Sequence, residues 1–190
     1  MTYLQLTRSF VFLAALFSSS GAISGAEETP ATKDGLTEFS SPEGGFSVRL
    51  LGKPAYSKTT VGVANELHHM FTDGTPQGVY LISYQENPNL EGASPQGLAT
   101  ALETGRDGLI NGLKGKLVEC KETKLDKKHP GLSFRMTIPA AQGEARCRHY
   151  LVGTRLYQVM ALGTPEFAGS DQATRVLDSF KLLPPATPGK

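Results

Sequence analysis

The stretch 146–162, Arg-Cys-Arg-His-Tyr-Leu-Val-Gly-Thr-Arg-Leu-Tyr-Gln-Val-Met-Ala-Leu, constrains the fold more than any other part of the chain. Two runs rich in β-formers flank a two-residue loop that begins with glycine. This is the pattern of a hairpin whose type II′ turn needs positive φ at its first loop position, here Gly153. The turn predicts the register: Val152 faces Arg155, Leu151 faces Leu156, Tyr150 faces Tyr157, His149 faces Gln158 and Cys147 faces Met160. Alternation then puts Cys147, His149, Leu151, Leu156, Met160 and Leu162 on one face, expected to be core. Arg146, Arg148, Tyr150, Arg155, Tyr157 and Val159 share the other, expected to be amphipathic.

The elements around this hairpin read as a sheet protein with few helices. Strands are expected over 37–40, 46–50, 56–63, 65–72 and 78–85, with turns at 41–45, at Gly52-Lys53-Pro54 and at Asp73-Gly74. The run 78–85 is apolar on both sides and belongs inside a sheet covered on both faces. Ser94-Pro95 is a helix start, cap then proline. Leu98, Leu102, Leu109 and Leu113 form one stripe of that helix, with Leu102, Leu109 and Leu113 expected to be buried and Arg106 on the far side. Ala101, Gly105, Gly108 and Gly112 make a second stripe that lets the helix lie close on the sheet. Strands follow at 116–125 and 132–138, the latter with Leu132, Phe134, Met136 and Ile138 inward and Ser133, Arg135 and Thr137 outward. A closing helix is capped at Ser170 or Asp171 and buries Ala173, Val176, Leu177 and Phe180. Strands interrupted by single helices predict an α+β domain on a mainly antiparallel sheet of about seven to nine strands with two principal helices.

The first 26 residues stand apart from this pattern. A positive charge at Arg8, an apolar run from Ser9 to Phe17 and small residues to Ala26, with Ser24 and Ala26 at the −3 and −1 positions, predict a cleaved secretory signal and export. The apolar run falls short of the ~20 residues that span a bilayer, and no integral membrane segment is expected in the mature chain. Residues 27–36 read as a flexible leader, 37–183 as a single domain and 184–190 as a disordered tail. A formal net charge of +1, with both signs interspersed, excludes electrostatic capture of nucleic acid as the expected function. The two cysteines, Cys120 and Cys147, fall on strands that flank a third in a simple meander. That places them beyond bridging distance and predicts two free, buried thiols despite export.

Several motifs together resemble a known family: Phe-Ser-Ser-Pro-Glu-Gly-Gly-Phe-Ser-Val at 39–48, His-Pro-Gly at 129–131, Arg-Leu-Tyr-Gln-Val at 155–159 and Leu-Asp-Ser-Phe-Lys-Leu at 177–182. They look like the PsbP-like superfamily, which includes the extrinsic PsbP subunit of photosystem II, Mog-type Ran-binding proteins and exported bacterial proteins of unknown function. The likeness covers roughly 39–183. It implies an α/β/α sandwich around an antiparallel sheet and mostly non-catalytic accessory or binding roles. No matched motif carries over a manganese site, a calcium site or a Ran-binding surface.

Candidate chemistry is sparse. His68-His69 has the composition of a metal site, but adjacent strand residues point to opposite faces and cannot share one ion from regular geometry. His149 opposite Gln158 is a polar pair on an apolar face and is expected to be hydrogen-bonded within the core. Arg146, Arg148 and Arg155, with Tyr150 and Tyr157 between them, offer an anion or peptide surface, or else cover the sheet with their stems. No nucleophile elbow, phosphate loop or dinucleotide fingerprint occurs, and no cofactor is implied. The expected function is therefore an exported, non-catalytic binding or accessory module for a protein or small-ligand partner. The alternative is an enzyme whose site is assembled from scattered groups such as His69, His149 and Glu119.

Overall fold

The computed structural model describes residues 35–61 and 66–184. The expected signal segment, the leader up to residue 34 and the tail from 185 lie outside the described residues. Within them the strands are β1 (Thr37–Ser41), β2 (Phe46–Leu50), β3 (Ala55–Val61), β4 (Glu66–Thr75), β5 (Gly78–Glu86), β6 (Lys116–Leu125), β7 (His129–Ile138), β8 (Gly143–Val152), β9 (Arg155–Gly163) and β10 (Lys181–Leu182). The helices are α1 (Pro95–Gly112), α2 (Pro165–Gly169) and α3 (Asp171–Asp178).

Seven strands form one antiparallel sheet in the order β3-β4-β5-β9-β8-β7-β6, and β1-β2-β10 form a small second sheet. The path explains the order. After β5 the chain crosses one face as α1 and comes down at the far edge as β6. It then meanders back through β7 and β8 until β9 pairs with β5. The hairpin at Gly153 has the expected register throughout, and Gly153 has φ +61°.

Each face of the large sheet carries its own core. Beneath α1 lie Leu81, Leu102, Leu132, Phe134, Met136, Cys147, Leu151, Leu156 and Met160. The opposite face packs Ile82, Tyr84, Tyr150, Tyr157 and Val159 against Phe46, Val48, Val176, Leu177 and Phe180, which come from the small sheet, α3 and the turn that follows it. Phe46 is the hub of this second core, with ring centroids 5.4 Å from Phe180, 5.5 Å from Phe71 and 6.2 Å from Tyr157. The hairpin is thus buried on both sides. The face expected to be amphipathic has Tyr150 and Tyr157 only 4% and 3% exposed, because Phe46 and Val48 from far upstream and Leu177 and Phe180 from downstream cover it.

Local sequence signals set the helix starts. Ser94 Oγ accepts from Gly97 N at 3.2 Å with Pro95 in the first turn, and Ser170 Oγ accepts from Ala173 N at 3.0 Å. Thr164-Pro165 repeats the first device and starts α2, a short helix ahead of the expected closing one. The strand β10 is likewise unanticipated; its two residues pair with Ser47 and Phe46 of β2.

Four expectations are corrected. Asp73-Gly74 is not a turn: both residues continue β4, and the chain reverses at Pro76-Gln77, where Thr75 Oγ1 accepts from Gly78 N at 3.1 Å. Asp73 instead holds the start of the loop after β2, its Oδ2 accepting from Leu51 N at 2.8 Å and Gly52 N at 3.1 Å. On α1, Leu102 is buried while Leu109 and Leu113 are only half-buried. Arg106 does not point away from the sheet. It follows Leu102 by four positions, which puts both on one helical stripe, and its Nη1 reaches Cys120 Sγ at 3.5 Å. Leu36, expected in the leader, is fully buried.

Both cysteines are free, with Cys147 buried and Cys120 half-exposed. Each is the cross-strand neighbour of Phe134, on opposite sides of it, so two strand spacings of about 9.6 Å separate them.

Candidate functional site

Strand alternation and the limited reach of α3 create a cleft on the face opposite α1. α2 and α3 pack on β8 and β9 but leave the outward side chains of β6 and β7 uncovered. The resulting cavity measures about 150 Å3 and is lined by Glu119, Lys121, Ser133, Arg135, Arg146, Arg148 and Leu177 among others. That space admits several water molecules, or one small oxyanion or carboxylate.

The pairing places these residues in two cross-strand rows. Glu119, Arg135 and Arg146 form one; Lys121, Ser133 and Arg148 form the next. Arg135 and Arg146 are therefore direct cross-strand neighbours, a juxtaposition of like charges that disfavours folding unless anions offset it. The partial offsets are visible. Arg135 Nη1 donates to both carboxylate oxygens of Glu144 at 3.3 Å, and Arg148 pairs with Asp178 while donating to Leu177 O at 3.2 Å. Arg146 Nη1 donates to Thr174 Oγ1 at 2.8 Å and Ala168 O at 3.4 Å, both uncharged acceptors, so these bonds fix the guanidinium without neutralising it. At the mouth, Lys121 Nζ lies 2.5 Å from Glu119 Oε1. The Glu119 carboxyl is held below its usual range by Lys121 first and by Arg135 and Arg146 after it. The field in the cleft is positive.

The other expected residues lie elsewhere. Arg155 and Tyr157 clamp the turn between β1 and β2: Tyr157 Oη donates to Gly44 O at 2.7 Å, and Arg155 Nη1 donates to the same carbonyl at 2.8 Å. Arg155 Nε also donates to Glu86 at 2.5 Å, and the guanidinium carbon sits 4.9 Å from the Tyr84 ring centroid. Tyr150 stacks on Phe180 at 5.9 Å inside the core. His149 and Gln158 are on the opposite face under α1, paired across β8 and β9 as expected, but without the expected hydrogen bond. Gln158 Oε1 accepts from Ser83 Oγ at 3.3 Å, whereas both ring nitrogens of the fully buried His149 have no protein partner. The His149 ring instead packs edge-on against Phe134 at 4.8 Å. Burial, and then the charge of Arg106, lowers its pKa to about 3, which keeps it neutral.

His68 and His69 diverge to opposite faces of β4. His69 stacks on Tyr84 at 4.3 Å and shares a 2.9 Å hydrogen bond with Tyr56 Oη through Nδ1. His69, His149 and Glu119 do not meet: His149 lies on the α1 face, and β4 is five strand positions from β6. Among the described residues no group of three or more His, Cys, Asp or Glu could hold a metal ion, and no helix is long and apolar enough to cross a membrane.

Of the seven residues singled out from sequence, the cleft thus collects Arg146 and Arg148, and it adds Lys121, Ser133 and Arg135. The missing signal was available in part. Arg135 and Ser133 are the outward positions of a cleanly alternating strand that immediately precedes β8 in a meander; only the register across the Pro139–Gln142 connection was lacking. The cleft offers fixed hydrogen-bond donors and positive charge, and guanidinium forks of this kind suit carboxylate or other oxyanion groups.

No family model and no curated protein matches the chain. Among solved structures, the solution structure of cyanobacterial PsbP from Synechocystis sp. PCC 6803 is similar to it. The TM-score is 0.54 and the identity 12%, over 88% of this chain and 98% of that one. At that identity the likeness speaks for the fold alone. A seven-stranded antiparallel sheet with α1 on one face and α2, α3 and a small sheet on the other gives this chain a PsbP-like α+β fold.

Proposed function

We infer that the protein is an exported, non-catalytic accessory or binding module that holds an anionic group of its partner in the cleft between β6, β7, β8 and α3. One observation carries the reading: Arg135 and Arg146 stand as direct cross-strand neighbours in an open cleft, with Arg146 fixed by uncharged acceptors. A bound oxyanion or carboxylate would offset that like-charge contact and so gain affinity from a cost already present in the free protein. The order of charge, apolar run and small residues in the first 26 positions supports export. The PsbP-like fold fits an accessory role, as resemblance to that superfamily implies.

The test is titration with sodium sulfate and sodium acetate at constant ionic strength, followed through the arginine Nε–H resonances. Shifts confined to Arg135, Arg146 and Arg148, and lost in Arg146→Ala, support the cleft. Uniform small shifts over all arginines, including Arg155, would reject it.

A further inference from the structure

The cleft is open along β6, and β6 is itself incomplete. It closes one end of the seven-stranded sheet, runs for ten residues and has no neighbour on its outer side among the described residues. A long unpaired edge leaves a row of backbone donors and acceptors that templates another strand. Natural edges are blunted by charges and bulges, and β6 has both: five charged residues, and a register shift between Leu117 and Glu119. Those charges are not indiscriminate. On the cleft face β6 presents Lys116, Glu119 and Lys121, backed by Arg135, Arg146 and Arg148 on the next two strands. On the α1 face its outer end presents Leu117, which with Val118 at the bulge is among the most exposed large apolar residues, at 44% and 47%, while Glu122 and Lys124, of opposite sign, follow farther along that face. Such an edge disfavours a basic strand and complements one that turns acidic side chains into the cleft and an apolar side chain toward Leu117.

Resting on the cleft as the binding site, we propose that β6 accepts an extended acidic segment of a partner polypeptide by strand addition. The segment's main chain extends the sheet beyond β6. Its acidic side chains turn into the cationic cleft, and the alternating apolar ones lie beside Leu117. Main-chain pairing supplies affinity, and the cleft supplies selectivity for acidic residues.

The probe is a terminally blocked peptide of about eight residues alternating glutamate and valine, longer than a typical strand of about five to six residues. It is compared with its glutamine counterpart and with two isomers, one N-methylated on every glutamate amide and the other on every valine amide. Strand addition uses the donors of only one edge, so one isomer is expected to bind about tenfold or more weakly while the other retains affinity. The glutamine peptide should lose at least about tenfold, and amides of β6 should gain hydrogen-exchange protection on binding. Equal affinity of the two isomers, or no added protection in β6, overturns strand addition; a sulfate response retained at the cleft arginines would then leave the anion site standing. Loss of both the sulfate and the peptide responses removes the anion site as well. Because the changes are made in the peptide, the folding of protein variants does not enter the outcome.

Discussion

Arg135 and Arg146 oppose each other directly across β7 and β8, the closest approach that a sheet gives to two side chains on different strands. The structure holds them there by pulling each guanidinium toward a different anchor, Arg135 to Glu144 and Arg146 to Thr174 and Ala168. The second anchor ties the cleft to the helices above it.

Arg146→Ala should lower unfolding free energy by about 1–3 kcal/mol, since the lost bonds to a charged donor outweigh relief of the repulsion. In the wild type, sulfate should raise the melting temperature more than chloride does at the same ionic strength, and Arg146→Ala should lose that extra increment. Equal sulfate increments in the two proteins would mean that sulfate acts only through general exclusion from the surface.

His149 should make the fold sensitive to acid. Its ordinary pKa of 6.5 falls to about 3 in the folded protein because burial, and secondarily Arg106, disfavours the imidazolium. The unfolded chain therefore binds a proton more readily than the native one between these values. The stability contribution is complete above pH 6.5, declines as pH falls toward about 3 and is fully lost below that. Its full size is on the order of a few kcal/mol. His149→Leu should remove this part of the acid slope while leaving the carboxylate contribution common to both proteins. It should cost little at neutral pH, because an unpaired polar ring is exchanged for an apolar side chain. Urea midpoints measured from pH 7 to 3.5 that run parallel for the two proteins would contradict the assignment.

Substitutions on α1 should rank by burial. Leu102→Ala is expected to cost ~2–5 kcal/mol through transfer and cavity terms. Leu109→Ala should cost less, since that side chain is only half-buried. Arg106→Ala should be measurably destabilising too, because the Arg106 stem lies on the sheet-facing stripe and its side chain is 17% exposed. Denaturant melts in which Arg106→Ala matches the wild type would place the side chain in solvent.

The two thiols should separate by accessibility. Cys120 is half-exposed, whereas burial pushes the Cys147 thiol well above its ordinary pKa. In the folded protein an aromatic disulfide reagent should titrate Cys120 alone; denaturation without reductant should release the second thiol. No reactive thiol in the denatured, unreduced protein would mean a bridge, and with it a strand order other than β6-β7-β8.

Sequence alone determined what depends on neighbours in the chain. Gly153 specified a tight turn, and through it the full register of β8 with β9. Ser94 and Ser170 specified helix starts, and the alternation of Leu132, Phe134, Met136 and Ile138 specified the buried side of β7. These features rest on backbone geometry with periods of two or 3.6 residues, and a few positions suffice to read them. Tertiary structure decided the rest. Whether Tyr150 and Tyr157 faced water depended on Phe46, Val48 and Phe180, brought over the sheet from both ends of the domain. Whether Asp73-Gly74 turned the chain depended on the Leu51 and Gly52 amides, which capture the Asp73 carboxylate and hold β4 extended. The cleft likewise required β7 to be set beside β8 in one register, because a shift of one residue would have sent Arg135 to the other face and left Arg146 without its neighbour.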